Sequence, residues 1–501
     1  MAPGEATIRL NLWSNTEAPA DPDHHLLLKI NGRLILDNSW DGKGEQLLTA
    51  AIPAGTLMDG ENVILVDIPG DTDANAEVSW INWYEISYPR HTVALDERLK
   101  FTAGDQPLAL SGFGDVVSLF DITDSNEPIF QYAVETQMGN MTYSGVDGHI
   151  YYAVGNAGFR QPVAITPLAE VTDPGARGEG ADYLAIGPDE FLTQADELLS
   201  QREAQGVKVA RISLEGIFDQ YNFGFPEPDA IRRFLITAAQ NWETEPKYVL
   251  LLGDASYDPR NYLGLEETNI LPTYFAQTLY GGQTASDIPF ADLDDDGIPD
   301  IAVGRVPANS VEDVSVFVRK TLAYENNRPG QRAEFPLLAI ADGQEAGFQY
   351  DALRFLDVFS PETEQVLYTP EAGTTDANLT IQAYFSEGFS LIAYFGHGSV
   401  VMWGKDQLFT IEDAYKLTNT QYPVVFNMTC LTGLFTHPKT ESLSEALLFN
   451  PNGGAVAMMA PTSLTLPGDQ SFLSTPLGEA LDEGTIERIG DIFMFAQRQV
   501  N

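Results

Sequence analysis

The sequence of 501 residues contains a single cysteine, few basic side chains and no long apolar segment. One cysteine cannot form a disulfide within the chain, which excludes a disulfide-stapled scaffold. A lone thiol is most often a buried and inert side chain, so its presence alone does not indicate catalysis. No stretch approaches the roughly 20 apolar residues that a membrane-spanning helix requires, and we therefore expect no membrane span.

Basic residues are scarce relative to acidic ones. Lys and Arg total 27 against 72 Asp and Glu, which gives a formal net charge of -45. Such a surface repels nucleic acid phosphates and anionic lipid headgroups, so neither is expected as a partner. An acidic excess is typical of a solvated surface, although a saline habitat or extensive calcium binding gives the same balance.

The amino terminus lacks the basic segment and the following apolar stretch that together define a secretory signal peptide. The first residues, MAPGEATIRLNLW, contain neither part. If the natural protein is secreted, its leader therefore lies outside these residues.

Two different patterns divide the chain. Short alternating runs separated by Asn-Gly, Asp-Gly and Pro-Gly turn signals predict an all-β domain over residues 1–90. The even spacing of these runs favours a β-sandwich of jelly-roll type. Residues 91–178 remain strand-rich and predict a β-rich connecting region, with a linker at TDPGARGEG over residues 172–180.

The second pattern covers residues 179–501, where apolar strands alternate with amphipathic helices. Continuous apolar strands such as YVLLLGD and LIAYFGHG predict a mostly parallel sheet with helices on both faces. The predicted fold class is therefore α/β, preceded by an all-β region, with two sub-domains that meet near residue 330. Ligands of such sheets bind beyond the carboxyl ends of the strands, so chemistry is expected there.

Two of these strand ends carry reactive side chains. LIAYFGHGS contains His397 between two glycines, and PVVFNMTC ends at Cys430, 33 residues later. One helix-like segment, TIEDAYKLT, separates them, so the two strands are expected to be neighbours in the sheet. An imidazole beside a thiol forms a pair of base and nucleophile, and the backbone N–H groups of Gly398 and Cys430 are candidates for an oxyanion hole.

Either residue alone is more typical of a structural role than of catalysis. His397 alone would be a hydrogen-bonded structural histidine, and Cys430 alone a small core residue. Their joint placement at neighbouring strand ends favours the functional interpretation.

The sequence resembles the gingipain-type cysteine peptidases of the caspase-like clan. The resemblance rests on a set of segments rather than on one motif: LIAYFGHGS, VVFNMTC, GGAVAMMAPTS, ADYLAIGPDEF, GFPEPDAIRRFL, YVLLLGDASYDP and IPDIAVGRVPANSVEDVSVFVRKTLAYE. It covers residues 180–501 strongly and the preceding β-rich region more weakly. The resemblance implies a caspase-like sheet, a cysteine endopeptidase with protein or peptide substrates, and a secreted or cell-surface location.

The family also places an acidic residue near the histidine. In this sequence that position matches Asp342, in LLAIADGQEAG, which would orient the imidazole of His397 as in a catalytic triad. Asp342 is equally typical of a residue that ends a strand and caps the following turn. His437, the other histidine near Cys430, is a weaker candidate for the base.

A substrate pocket follows from the same resemblance. Its walls are expected two residues before the histidine and two before the cysteine, at Phe395 and Met428, with Gly396 between wall and histidine. Both walls are also typical core residues. The loop after AMMAP is expected to cover the pocket with Ser463.

Relatives that cleave after Arg carry a carboxylate at the floor of this pocket. Glu345 and Asp351 are the nearby acids, and neither aligns with that position unambiguously. Asp351 is retained as a pocket residue. Cleavage after Arg or Lys therefore stays open.

An acidic segment elsewhere predicts a cation site. DLDDDGIPD places Asp292, Asp294 and Asp296 at alternate positions before a glycine, with Asp300 beyond. Carboxylates at alternate positions before a turn can surround Ca²⁺, although the glutamate at position twelve of an EF-hand loop is missing. We expect a structural Ca²⁺ and no organic cofactor; an acidic surface turn is the alternative.

Three functions remain distinguishable. The first is a secreted endopeptidase that acts through Cys430 and His397. The second is a component of a bacterial secretion or surface-attachment system, either sortase-like in transpeptidation or non-enzymatic. The third adds carbohydrate binding by the amino-terminal sandwich, with Trp40, Trp80 and Trp83 as stacking platforms.

Overall fold

The structure is a computed structural model, and it describes residues 4–165, 173–265, 269–278, 282–326, 336–371, 376–484, 486 and 488–500. The chain divides into two compact units, residues 1–167 and 168–501.

The first unit is built from short strands and a single 3-10 turn at Asn156–Gly158 among its described residues. Its strands are β1 (Ala6–Ser14), β2 (His24–Ile30), β3 (Arg33–Trp40), β4 (Gly44–Ile52), β5 (Ile64–Asp67), β6 (Ser79–Ser87), β7 (Arg98–Thr102), β8 (Leu108–Leu110), β9 (Val116–Asp121), β10 (Ile129–Glu135), β11 (Met141–Tyr143) and β12 (Ile150–Gly155).

Strands β1–β6 form a sandwich of two antiparallel three-stranded sheets, ordered β4-β1-β6 and β3-β2-β5. The sheets share one apolar core, because alternate residues of β1 and β2 point inward, among them Leu10 and Leu28. Trp40 belongs to this sandwich: its Nε1 donates to Ser14 Oγ at 2.6 Å and its ring stacks on His24. That packing argues against Trp40 as a stacking platform for a ligand.

Strands β7, β9, β10 and β12 form a second antiparallel sheet, ordered β10-β9-β12-β7, beside the pair β11-β8. Its core, which includes Phe101, Leu119 and Tyr151, is separate from that of the sandwich. The predicted boundary at residue 90 lies between these two cores.

The second unit alternates strands and helices. Its strands are β13 (Tyr183–Gly187), β14 (Val209–Ser213), β15 (Tyr248–Leu252), β16 (Tyr274–Thr278), β17 (Gly282–Ser286), β18 (Ala302–Val306), β19 (Leu337–Ala341), β20 (Gln365–Tyr368), β21 (Leu391–Phe395), β22 (Gly398–Ser399), β23 (Met402–Trp403), β24 (Phe409–Thr410), β25 (Val424–Met428) and β26 (Ala457–Met459). Its helices are α1 (Asp189–Gln194), α2 (Asp196–Ala204), α3 (Leu214–Asn222), α4 (Pro228–Asn241), α5 (Ile288–Ala291), α6 (Val311–Asn326), α7 (Ala346–Leu356), α8 (Ala377–Glu387), α9 (Ile411–Lys416), α10 (Leu443–Phe449), α11 (Pro467–Glu483) and α12 (Ile489–Val500).

Two parallel sheets organise this unit. The first has the order β14-β13-β15-β18 and the second the order β20-β19-β21-β25-β26. Apolar clusters cover both faces of each sheet, which explains why the strand sequences are apolar throughout rather than alternating. The predicted parallel arrangement with helices on both faces is confirmed.

The strands that carry the histidine and the cysteine are central in the second sheet. β21 and β25 pair in parallel, from Leu391 opposite Val424 to Phe395 opposite Met428. Every residue of both strands is buried. The predicted adjacency of these two strands is confirmed.

None of the helices in the described part of the chain has both the length and the apolar character needed to cross a bilayer.

Candidate active site

The site lies at the carboxyl ends of β21 and β25. Because Phe395 and Met428 are paired in register, His397 and Cys430 each follow the sheet edge by two residues on neighbouring strands. Gly398 permits the close approach of the two strand ends, since a Cβ atom there would lie 2.9 Å from Cys430 O and would overlap Thr429 Oγ1. The predicted oxyanion donors, Gly398 and Cys430, are therefore adjacent, although that role stays a prediction.

The imidazole of His397 is held from several sides. Its Nε2 lies 2.7 Å from Glu345 Oε1, and Phe348 packs against the ring edge-on at 5.1 Å. The backbone carbonyl of His397 accepts hydrogen bonds from Tyr394 Oη and Gly404 N, both at 2.7 Å. These contacts fix the backbone and the direction of the ring together.

Glu345 is the carboxylate that contacts the ring. The hydrogen bond with His397 holds the pKa of Glu345 below its ordinary value, so the side chain is charged at neutral pH. With 57% of the Glu345 side chain exposed, the ion pair adds little to stability, and orientation of the imidazole is its main effect.

Asp342, the acid predicted for this role, has a different environment. It is 1% exposed, its N–H bonds to Phe395 O, and its Oδ1 accepts from Gln344 N at 3.0 Å. Its Oδ2 is buried without a hydrogen-bond partner among the described residues. An orienting role for Asp342 stays a prediction; in this structure the contact belongs to Glu345, three residues later in the same loop.

The sulfur of Cys430 contacts the loop after β26. Thr465 N donates to Sγ at 3.4 Å, and Sγ lies 3.5 Å from Thr465 O. The residue after Cys430, Leu431, has a φ of 61°, a left-handed conformation that residues other than glycine rarely adopt. Leu431 N bonds to Ser463 O at 3.0 Å, which ties this turn to the same loop.

The imidazole and the thiol thus have separate hydrogen-bond partners in this structure. His397 Nε2 faces Glu345, whereas Cys430 Sγ faces Thr465. Catalytic hydrogen bonds are often absent before substrate binds, so adjacency at the sheet edge is the informative feature.

The residues predicted to line the pocket fall into two groups. Phe395 and Met428 are each 2% exposed and pack in the core between the sheet and helices α7, α11 and α12. This packing favours the alternative of core residues, because parallel strands covered on both faces bury their side chains up to the last residue. Their role as pocket walls stays a prediction. Gly396 lies beside them, with its N–H bonded to Met428 O at 3.3 Å.

Ser463 is buried and Asp351 is partly buried. Ser463 Oγ is 3.2 Å from Thr278 Oγ1, on the hairpin formed by β16 and β17. Asp351 Oδ1 accepts from Ser471 Oγ at 3.1 Å, which connects α7 with the first turn of α11. Their role in a substrate pocket stays a prediction. His437 accepts from the backbone N–H groups of Lys439 and Thr440 through Nδ1 and lies on the loop, as expected for a residue that is not the base.

Three carboxylates of the acidic segment converge. Asp292, Asp294 and Asp300 each offer an oxygen within 4.8 Å of the others. Asp296, the fourth predicted ligand, is outside this group and accepts from Ile298 N at 2.8 Å. Partial desolvation, together with the neighbouring charges of Asp296 and Asp300, raises the pKa of Asp294, and a bound cation would relieve that repulsion.

A pair of buried acids lies in the same unit. Asp254 lies two residues after the end of β15, and Glu445 lies on α10. Burial raises the pKa of Asp254 to about 7 and holds the pKa of Glu445 well above its ordinary value. Asp254 is 2% exposed and bonds to Asn309 Nδ2 at 3.0 Å, so it offers no surface to a substrate.

Comparison with known sequences places the second unit in context. Residues 176–501 match the model described as Peptidase family C25. Gingipain R2 of Porphyromonas gingivalis is 26% identical over 246 residues, which are 47% of this chain and 31% of that protein. A second gingipain R2 of the same species is 23% identical over 296 residues, or 57% of this chain and 37% of that protein. The chain spans about a third of the length of these curated relatives.

Solved structures give the same picture of the fold. The crystal structure of the Arg-specific cysteine proteinase gingipain R has a TM-score of 0.53 at 21% identity, over 64% of this chain and 73% of that one. Dimeric latent PorU from Porphyromonas gingivalis has a TM-score of 0.53 at 18% identity, over 68% of this chain and 38% of that one. At these identities the likeness shows a shared fold.

Proposed function

The chain belongs to peptidase family C25, and we propose that residues 168–501 form a cysteine endopeptidase with Cys430 as nucleophile and His397 as acid and base. The observation that carries this proposal is the in-register pairing of β21 with β25, which brings the imidazole and the thiol to neighbouring strand ends. The match to the family model over residues 176–501 supports it independently.

The contacts of the site suggest the order of proton transfers. Glu345 engages Nε2 of His397, which leaves Nδ1 as the nitrogen that accepts the thiol proton of Cys430. The thiolate then attacks the peptide carbonyl, and the backbone N–H groups of Gly398 and Cys430 stabilise the oxyanion. His397 returns the proton to the leaving amine, and water hydrolyses the thioester in the second half of the reaction.

A peptide-library digest tests this proposal. The wild-type chain should cleave internal peptide bonds, and Cys430→Ala should cleave none of them. Cleavage retained by Cys430→Ala would remove the proposal. A third reaction contains the wild-type chain and an added amine. Transfer of the acyl group to this amine in preference to water would indicate a transpeptidase instead.

The acids of the site also suggest a preference for basic residues before the cleaved bond. Glu345 is occupied by His397, which leaves Asp351 as the carboxylate available between α7 and α11. One structural relative, gingipain R, is an Arg-specific cysteine proteinase, which agrees with this preference. In the library, Asp351→Asn should lose cleavage after Arg and Lys while cleavage of other bonds persists.

We also propose that the loop of Asp292, Asp294 and Asp300 binds a structural Ca²⁺. The fit rests on three carboxylates that reach a common point and on the raised pKa of Asp294. Saturating Ca²⁺ should raise the midpoint of thermal unfolding by about 2–4 °C relative to chelator. Asp294→Asn should abolish this difference, whereas Asp296→Asn should retain it; equal shifts in all three proteins would contradict the site.

The gingipain likeness leads us to propose a secreted or cell-surface location. Cell fractionation with an antibody to residues 168–501 tests this, and a purely intracellular signal would exclude it.

A further inference from the structure

A compact set of hydrogen bonds surrounds the sulfur of Cys430, and the two residues that supply its side chains, Thr465 and Gln470, are not among those assigned to catalysis. Thr465 Oγ1 donates to Thr429 O at 2.6 Å, and Gln470 Nε2 donates both to Thr429 O at 3.0 Å and to Thr465 Oγ1 at 2.6 Å. Thr465 N–H donates to Cys430 Sγ. We call Thr465 and Gln470 the thiol clamp.

The donors and acceptors of the clamp are fully matched. The Thr465 hydroxyl has one hydrogen, which goes to Thr429 O, and it accepts one hydrogen from the Gln470 amide. The two hydrogens of that amide serve Thr429 O and Thr465 Oγ1. A carboxylate at position 470 could donate neither bond, so the clamp requires an amide.

The clamp touches the sulfur through three groups of Thr465: the N–H, the carbonyl oxygen and the hydroxyl, whose oxygen lies 3.8 Å from Sγ. Thr465 N–H and Thr465 O lie 3.4 Å and 3.5 Å from the sulfur, on the same residue. Their common effect is geometric, because both restrict the direction of the Cβ–Sγ bond.

We propose that Gln470 is a positioning residue for the nucleophile: it holds Thr465, and Thr465 holds the Cys430 sulfur in the direction from which attack occurs. This inference rests on the proposed function, in which Cys430 is the nucleophile. Gln470 acts through Thr465 and the backbone of residue 429, and its own side chain has no hydrogen bond to the sulfur among the described residues.

Two opposite rate changes distinguish positioning from a general structural role. Release of the clamp lets the sulfur rotate away from the attack direction, which slows turnover. It also removes the contacts that cover one side of the sulfur, which speeds reaction with a small reagent that needs no orientation. Since Cys430 is the only cysteine of the chain, alkylation by iodoacetamide reports on this thiol alone.

The first experiment compares Gln470→Ala with Gln382→Ala, a glutamine on α8 that bonds to Asp413 and serves as the control. For Gln470→Ala, kcat should fall about tenfold at unchanged KM, and alkylation should accelerate about threefold or more. The control should match wild type in both rates. Equal thermal midpoints in all three proteins exclude unfolding as the source of the faster alkylation.

The second experiment uses isosteric changes. Gln470→Glu and Thr465→Val remove the hydrogen bonds and keep the shape, and both should reproduce Gln470→Ala. Thr465→Ser keeps the hydroxyl and should restore both rates to within about twofold of wild type. If Thr465→Val and Thr465→Ser had the same kcat and the same alkylation rate, the hydroxyl would not matter and the proposal would be overturned.

The alkylation arm separates this inference from the proposed function. If the wild-type chain cleaves no peptide but alkylation is faster in Gln470→Ala, the proposed function is wrong. The effect of Gln470 on the position of the sulfur is then still supported. If peptides are cleaved and neither rate changes in Gln470→Ala, the clamp fails and the proposed function stands. A fall in both rates would also overturn positioning, because it would show that the clamp activates the thiol.

Discussion

The two parallel sheets of the second unit have the same architecture and different carboxyl edges. In the first sheet, β15 leads into Asp254, which is buried beside the equally buried Glu445. In the second sheet, β21 and β25 lead into His397 and Cys430, which are partly exposed. Titratable groups lie at the carboxyl edges of both sheets. Those of the candidate site are partly exposed to solvent, whereas Asp254 and Glu445 are buried.

The acids at the two edges have pKa values that are shifted in opposite directions by different causes. Burial raises the pKa of Asp254 to about 7, so this acid keeps its proton to a higher pH than an exposed carboxyl does. At the edge of the second sheet, Glu345 is exposed and its pKa is lowered by His397. An exposed carboxylate that orients an imidazole suits proton transfer, whereas a buried acid with a raised pKa suits packing.

The largest expected effect is the loss of His397. His397→Ala should lower kcat by about 10³-fold or more, because the base is removed from the nucleophile. Asp254→Asn, the matching change at the first sheet, should leave kcat within about twofold of wild type at pH 6. Peptide hydrolysis measures kcat for both variants. A comparable fall in kcat for the two would contradict the view that only the edge of the second sheet is catalytic.

The next largest effect is a pH dependence of the free energy of unfolding, and it arises from Asp254 at the edge of the first sheet. Because the pKa of Asp254 is raised from 3.8 to about 7 in the folded chain, the stability that the protonated acid contributes is present below pH 3.8. That contribution is lost as pH rises through 7, and the shift corresponds to about 4 kcal/mol.

Chemical denaturation at pH 4 and pH 8 measures this loss. Asp254→Asn should become more stable relative to wild type at the higher pH. Glu243→Gln, at an exposed acid, should show no such trend. The groups that face Asp254 are Asn309, Arg305, Asp313 and Glu445, and a flat difference for Asp254→Asn would show that they keep the carboxylate charged.

The smallest expected effect concerns the acid that orients His397 at the edge of the second sheet. Glu345→Gln should lower kcat about tenfold, since the neutral amide orients the imidazole but does not stabilise its charge. Asp342→Asn should have a smaller effect, because in this structure its carboxyl does not contact the ring. The reverse order of the two variants in peptide hydrolysis would return the orienting role to Asp342.

The positions of His397 and Cys430, the proposed catalytic pair, could be predicted from the sequence. LIAYF and VVFNM are continuous apolar runs that end at a histidine and a cysteine, and one helix lies between them. Parallel strands joined by one crossover are normally neighbours in a sheet. The sequence pattern therefore predicted that the histidine and the cysteine lie side by side at the carboxyl edge.

The partners of these residues could not be predicted in the same way. Glu345 rather than Asp342 meets His397 because the turn after β19 buries the first acid and projects the second. Phe395 and Met428 proved to be core residues because helices cover both faces of the sheet. The contact of Gln470 with Thr429 joins residues 41 positions apart, and no local pattern signals it.

The most direct measurement of the central claim is the mass of the chain during turnover of an activated ester substrate. A cysteine peptidase should accumulate a covalent acyl group on the tryptic peptide that contains Cys430, and His397→Ala should not accumulate it at a comparable rate. Hydrolysis without an adduct on that peptide, or hydrolysis by Cys430→Ala at the wild-type rate, would contradict the account.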